Sequence, residues 1–318
     1  MATAAMTTTQ AYEVIVIGGS FAGLSAAMQL ARARRRVCVV DAGQPRNRFA
    51  AASHGFFGQD GEPPLAMIEQ ARRKLAAYPT VGFVQGTVVS ATAQQRAGSP
   101  ENGFEVVLDD GATLEAHKLV LAFGVLDGLP EIAGLRERWG ASVLHCPYCH
   151  GYEFAGQRLG VLYHSAGSAM HAQLIADWGS TTLFLNGDTT LESAERERLL
   201  ALGIAIEPAP IAALEGPGQA MQGARLQATS DARVVPLNAL YVAATTRPAS
   251  PLAEQLGCAF DDGPMGPYLR TDANTKMTTV PGVYAAGDLT LMRHNATLAS
   301  AEGVLAGVGA HQALVFGQ

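Results

Sequence analysis

Residues 13–41 read "EVIVIGGSFAGLSAAMQLARARRRVCVVDAG", and this run constrains the fold more than any other. "EVIVI" is a short continuous apolar run of the buried-strand type. "GGSFAG" is a turn, "LSAAMQLARAR" an apolar-periodic helix, and "RVCVVDAG" a second strand that ends at Asp41. Such a βαβ opening belongs to a parallel sheet with helices packed on it. In the G-x-G-x-x-G frame the turn places Gly18, Ser20 and Gly23, with Gly19, Phe21 and Ala22 between them. Amides at the start of the following helix suit a dinucleotide pyrophosphate. Ser20 replaces the middle glycine and is small enough to keep backbone close to phosphate. Asp41 lies eighteen residues beyond Gly23, at a strand end, where a carboxylate accepts from ribose hydroxyls. Strand, turn, helix and acid in register point to dinucleotide binding rather than to a plain tight turn.

The rest of the chain repeats the theme. A helix is expected around 63–77, then short strands in "VGFVQGTVVSA", "GFEVVLDD" and "HKLVLAFG". Gly and Pro residues in "LDGLPEIAG" (126–134) mark a domain crossing. A second βαβ pattern starts at 159, with "LGVLYH", "AGSAMHAQLIADWGS", "TTLFLNG" and "LESAERERLLALG" as strand, helix, strand and helix. "NALYVAATTRPASP" closes it. The tail carries "GVYAAGD" (282–288), an apolar strand whose Gly287 and Asp288 present a carboxylate beside open space, or else an ordinary strand end. A helix near 296–314 follows. The fold class read from this order is α/β, with two Rossmann-like, three-layer domains.

Composition excludes several classes of function. Of 318 residues, 48% are hydrophobic and 16% charged, which argues against disorder. The formal charge of −6 comes without long runs, so neither nucleic acid nor an anionic membrane is an expected partner. The basic cluster "RARRR" (32–36) follows a helix and suits its C-terminus. No window reaches the ~18 apolar residues of a membrane span. "MATAAMTTTQAYE" lacks a secretory signal core, so the cytoplasm is the expected compartment.

Chemistry concentrates in "SVLHCPYCHGYEF" (142–154). Only four cysteines occur, and Cys38 ("VCVV") and Cys258 ("LGCAF") read as small core residues. Cys146 and Cys149 stand in C-x-x-C spacing, flanked by His145 and His150. A zinc site needs about four ligands, and no second C-x-x-C or C/H pair is present, so no metal is expected. A structural staple does not suit a reducing compartment. Redox exchange does, because one thiolate of such a pair attacks while the other resolves. Pro147 fits a first helical position.

Taken together, these motifs resemble the low-molecular-weight thioredoxin reductase family of flavoproteins, over nearly the whole chain. "VIGGSFAGLSAA" resembles the FAD pyrophosphate turn. "LVLAFGV" (119–125) resembles the crossover strand, with Ala122 and Gly124 matching and Phe123 in place of threonine. "TTVPGVYAAGD" is similar to the second FAD motif. "HNATLASAEG" (294–303) resembles the final helix, whose start at Asn295, Ala296 and Thr297 faces the flavin. The resemblance implies FAD as cofactor, a homodimer, and a discontinuous FAD domain. That domain would be 1–125 plus 248–318, with a C-x-x-C-bearing domain, 126–247, inserted between.

Two departures bear on function. The inserted domain of the family binds NADPH through a glycine turn and a basic strand end. Here "VLYHSAGSA" puts Tyr163 and Ser165 at the glycine positions, and Leu185, Asn186 and Gly187 replace the basic run. Asp188 remains as an acceptor for an NADH ribose. The reductases also follow the second cysteine with aspartate, where this chain has His150. "HCPYCHGYE" resembles a branch that closes disulfides in small natural products such as gliotoxin, holomycin and romidepsin. An Asn–His pair serves that reaction, and the matching positions are Asn47 and His145.

By resemblance Cys149 faces the flavin and Cys146 the substrate. The leading expectation is a dithiol oxidase that passes electrons to FAD and then O2, without NADPH. Other readings stay open: a thioredoxin-type disulfide reductase fed by NADPH or by a protein donor such as ferredoxin, and a flavin redox sensor. His145 and His150 either move protons or only orient neighbours, and Asn47 is either a partner in the reaction or a turn residue. The loop "SHGFFGQDG" (53–61) either approaches the flavin or buries Phe56 and Phe57.

Overall fold

The computed structural model describes residues 10–95, 102–227 and 233–317. The chain divides into two compact units. The first comprises Met1–Arg48, Leu65–Leu126 and Thr246–Gln318, the second Phe49–Pro64 and Asp127–Thr245. This division groups residues 49–64 with the C-x-x-C unit, and its other bounds fall within two residues of the expected 125 and 248. The cause is local. An antiparallel bridge between Ser53 and Glu62 closes the segment into a loop, and Phe49 packs under Gly140.

In the first unit the strand order is Val81–Gln85, Val37–Asp41, Gln10–Ile17, Thr113–Leu121, Asn102–Leu108, Val88–Gln95. The first four run parallel, and the last two are antiparallel. Val283–Ala285 joins the far end of Thr113–Leu121, also in parallel. Residues 37–40 are buried throughout, as a central parallel strand requires. Alternation sorts the two faces: Val14 and Val16 enter one hydrophobic cluster, Ile15 and Ile17 the other.

The helix Phe21–Arg32 lies against the C-terminal helix Ala296–Phe316. Small residues make that approach possible. A Cβ on Gly303 would stand 2.1 Å from the Ala22 carbonyl oxygen, and one on Gly307 2.5 Å from that of Ala26. The last turn of the first helix contains Arg32, and Arg34 takes the left-handed conformation (φ 61°) as the chain turns into the next strand. Cys38 and Cys258 are both buried.

The second unit carries five parallel strands in the order Ala205–Glu207, Ser180–Phe184, Arg158–Leu162, Ala239–Val242, Val143–Leu144. Helices Ala166–Ile175 and Ser193–Ala201 connect three of them. A small antiparallel sheet, Ile211–Glu215, Gly223–Leu226 and Val234–Pro236, packs in the opposite cluster. Both units are therefore Rossmann-type α/β layers. Among the described residues, no helix is long and apolar enough to cross a membrane.

Candidate active site

The cysteines sit on the second unit just beyond its edge strand Val143–Leu144. Cys146, in extended backbone (φ −118°, ψ 114°), caps the four-residue helix Pro147–His150. Pro147 begins that helix, its missing N–H costing nothing there. Cys146 and Cys149 are joined in a disulfide, with Cα atoms 5.3 Å apart. Gly151 ends the turn where nothing larger fits, since a Cβ would meet the Trp178 indole at 2.8 Å. Tyr148, between the cysteines, stands edge-on to Trp178 at 5.7 Å and is 72% exposed. The pair is thus half-buried, on a rigid aromatic footing, with an open flank.

Both flanking histidines are half-buried. The His145 ring lies 5.8 Å from the buried Trp139 ring, tilted at 31° to it. Burial pushes the His150 imidazole below its ordinary pKa, and His54 pushes the same way against an opposing pull from Glu153. A neutral imidazole beside Cys149 is a base at neutral pH. Asn47 belongs to the first unit, half-buried on the helical turn Arg46–Phe49. Phe57 is 96% exposed, so it is not a core residue; its neighbour Phe56 is half-buried. Among the described residues, no group of three or more His, Cys, Asp or Glu side chains is placed to hold a metal ion.

Each unit has a strand–turn–helix at the nucleotide position, and the two turns differ in their amides. In the first, Gly18 (φ +110°) passes so close to Ala122 that a Cβ would stand 2.3 Å from its carbonyl oxygen. Gly23 packs on Gly18 just as tightly. The Gly19 N–H donates to Asp41 Oδ1 at 3.0 Å. The Ser20 side chain makes no capping bond to the helix it precedes.

Gly124 and Gly287 are also left-handed, and Ala22 abuts Gly287. Residues 18–23, 122–124 and 286–288 therefore converge at the carboxyl ends of neighbouring parallel strands, where nucleotides bind in such sheets. Small residues, an uncapped helix start and an acid at the end of the second strand fit an FAD. Gly18, Gly19, Ser20, Phe21, Ala22 and Gly23 would hold its pyrophosphate, Asp41 its ribose, and Asp288 its sugar-alcohol chain. Ala296 begins the C-terminal helix, while Asn295 is spent on the cap, accepting from the Thr297 and Leu298 N–H groups.

The second turn closes on itself. Ser168, at the position of Gly23, turns its Oγ back to accept from the N–H of His164 (2.9 Å) and of Ser165 (3.3 Å). Those amides precede the helix Ala166–Ile175, and the first of them matches Gly19, whose N–H is spent on Asp41 instead. Tyr163 is buried, its hydroxyl 3.2 Å from Thr190 Oγ1. Asp188 Oδ1 accepts from both the N–H and the hydroxyl of Thr190, at 2.6 Å each. Asn186, itself left-handed, accepts from the Ile211 N–H at 2.8 Å.

Sequence reading missed three groups. Arg46 donates to Asp288 at 2.8 Å across 242 residues. Ser168 escaped notice, although Ser-x-x-Ser before an apolar run is a capping-box variant. His54 and Glu153, brought together within the second unit, carried no local signal.

A family model described as pyridine nucleotide-disulphide oxidoreductase matches residues 12–303. The thioredoxin reductase tcpT of Claviceps purpurea (strain 20.1) is 31% identical over 317 residues, covering 95% of this chain and 94% of that protein. Among solved structures, an oxidoreductase from Agrobacterium tumefaciens superposes with a TM-score of 0.88 at 42% identity, covering 97% of this chain and 100% of that one. HlmI gives a TM-score of 0.88 at 35% identity, covering 96% and 93%.

Proposed function

The chain belongs to the pyridine nucleotide-disulphide oxidoreductase family and is a flavin-dependent thiol oxidoreductase; from that premise we propose that it oxidises a small-molecule dithiol to its disulfide, using FAD and then O2 and no NADPH. The observation that carries this reading is the Ser168 lock on the His164 and Ser165 amides, beside a strand end without a cation. An arginine or lysine is the usual partner of a phosphate, and residues 185–187 supply none.

The proposed cycle is written from the disulfide form of Cys146 and Cys149. One substrate thiol gives its proton to His145 or His150, and its sulfur bonds to Cys146 as the Cys146–Cys149 bond breaks. Cys149 leaves as thiolate. The second substrate sulfur then bonds to the first as the mixed disulfide breaks, and the product departs. Two electrons now rest in the cysteine pair. An FAD held by residues 18–23, Asp41 and Asp288 would supply the two-electron acceptor between this pair and O2, with peroxide as the second product. A half-buried neutral imidazole serves this traffic better than the ionised aspartate of the reductases. The active form is proposed to be a homodimer in the cytoplasm.

The test is oxygen uptake with dithiothreitol as the dithiol. One O2 consumed and one peroxide formed per disulfide, without pyridine nucleotide, is the expected result. Turnover only when NADPH is supplied favours the second reading, a disulfide reductase, which the thioredoxin reductase name of tcpT supports.

A further inference from the structure

The C-terminal helix Ala296–Phe316 is built of small and aliphatic residues, and Glu302 is its one acid or base apart from His311. Glu302 is buried, and the next residue, Gly303, is the one packed against the Ala22 carbonyl. Both of its carboxylate oxygens are engaged. Oε1 lies 2.8 Å from Lys276 Nζ, and Oε2 accepts from the Thr290 hydroxyl at 2.9 Å. The Lys276 and Glu302 side chains are 11% and 12% exposed.

Thr290 closes the short turn Gly287–Leu289, its N–H donating to the Gly287 carbonyl at 2.9 Å. Its hydroxyl lies 3.1 Å from the same carbonyl but has one proton, which goes to the charged and nearer oxygen of Glu302. Lys276 is fixed as firmly. Its backbone is left-handed (φ 58°), a conformation that persists in a residue with a side chain only where the surroundings impose it. Its N–H donates to the Asp272 carbonyl, and its own carbonyl accepts from the Ala285 N–H, both at 3.0 Å. Thr275, just before it, lies against the C-terminal helix, where a Cβ on Gly309 would stand 2.2 Å from the Thr275 carbonyl oxygen.

Stability alone does not account for this pair. A buried ion pair loses hydration that its attraction restores only in part, and apolar residues of similar volume hold a core as well. A carboxylate adds direction, because it accepts hydrogen bonds at fixed places. The turn that it holds carries Asp288, the residue assigned to the sugar-alcohol chain of FAD. Arg46 ties that turn at its acid and Glu302 ties it at its end.

We propose that Lys276 and Glu302, acting through Thr290, set the Gly287–Thr290 turn so that Asp288 meets the sugar-alcohol chain of FAD. All three are positioning residues, since none is assigned to the cofactor itself. The proposal rests on the FAD assignment and not on the direction of electron flow, so it fails separately from the oxidase reading.

The experiment is release of FAD from the holoenzyme on dilution, followed by the rise of flavin fluorescence, as a double-mutant cycle with Asp288→Asn. Thr290→Val removes only the hydroxyl, and Glu302→Gln removes the charge at nearly constant shape. Each should release FAD at least about 5-fold faster than wild type, in the range of a lost hydrogen bond to a charged group. In the Asp288→Asn background the same changes should alter release by less than about 2-fold, because they act through that one contact. Thr290→Ser, which keeps the hydroxyl, should stay within about 2-fold of wild type. Thr290→Val carries the test by itself if the buried Glu302→Gln change unfolds the chain. Equal acceleration in both backgrounds is the mark of a general loosening and would overturn the proposal. Unchanged release in Thr290→Val would overturn it too, as would release from Thr290→Ser as fast as from Thr290→Val. A wild-type protein that holds no FAD would overturn it together with the FAD assignment.

Discussion

Ser168 Oγ stands 2.9 Å from the His164 amide nitrogen, at the place where the first nucleotide turn has Gly23. In the first turn Asp41 takes the Gly19 N–H, and in the second the Ser168 hydroxyl takes the matching His164 N–H together with that of Ser165. The proposed electron supply to the cysteines rests on this difference.

Ser168 is buried, so Ser168→Ala leaves two amides without their acceptor. The expected cost is about 1–2 kcal/mol. A melt should show a fall of a few degrees. The variant should still not be reduced by NADPH, because Tyr163 keeps its buried place in the turn.

Serine at Cys146 or Cys149 removes one half of the exchange. Turnover with dithiothreitol should fall by at least about 10³-fold in either variant. Flavin content should match wild type, since the residues assigned to FAD lie in the other unit. Absorbance spectra of the purified variants check the second point.

The Arg46–Asp288 pair is largely buried, with 17% and 18% of the two side chains exposed. Arg46→Ala leaves the Asp288 carboxylate without its cation, at a cost of about 1–3 kcal/mol. Thermal unfolding should register that loss. Flavin release on dilution should be faster than in wild type, since Asp288 is assigned to the cofactor's sugar-alcohol chain.

Alkaline stability follows from Tyr12 and Cys38. Burial, and then the neighbouring thiol, push the Tyr12 phenol up to about 12, while burial pushes the Cys38 thiol up to about 11. Both are acids held neutral by the fold. Below the unfolded pKa of the thiol, about 9, the unfolded chain also keeps its protons, and this contribution to stability is complete. As pH rises from about 9 to about 11, the unfolded thiol ionises while the folded one does not. Stability should therefore fall by about 1.4 kcal/mol per pH unit from Cys38, with Tyr12 adding its share above about pH 10. Urea titrations at pH 8 and pH 10.5 check the sign. In the same pH 8 buffer Cys38 should resist iodoacetamide until the protein unfolds.

The βαβ opening and the C-x-x-C pair were legible because their chemistry is local. Glycines at fixed offsets, an apolar strand and a helix-starting proline all declare themselves within a dozen residues. The degraded second turn was legible at Tyr163, where a ring replaces a glycine. Its lock was not, because Ser168 acts through a side-chain rotamer that bends back on its own turn. Arg46–Asp288 and His54–Glu153 join residues far apart in the chain, so only the packed fold pairs them. The placement of residues 49–64 with the second unit was hidden likewise, since one interstrand bridge and the packing of Phe49 set it.

The direction of electron flow is tested most directly by mixing the oxidised flavoprotein anaerobically with NADPH in one syringe and dithiothreitol in another. Bleaching of the flavin by the dithiol within the turnover time, and none by NADPH, is the result the closed Ser168 turn predicts. Rapid bleaching by NADPH would contradict it.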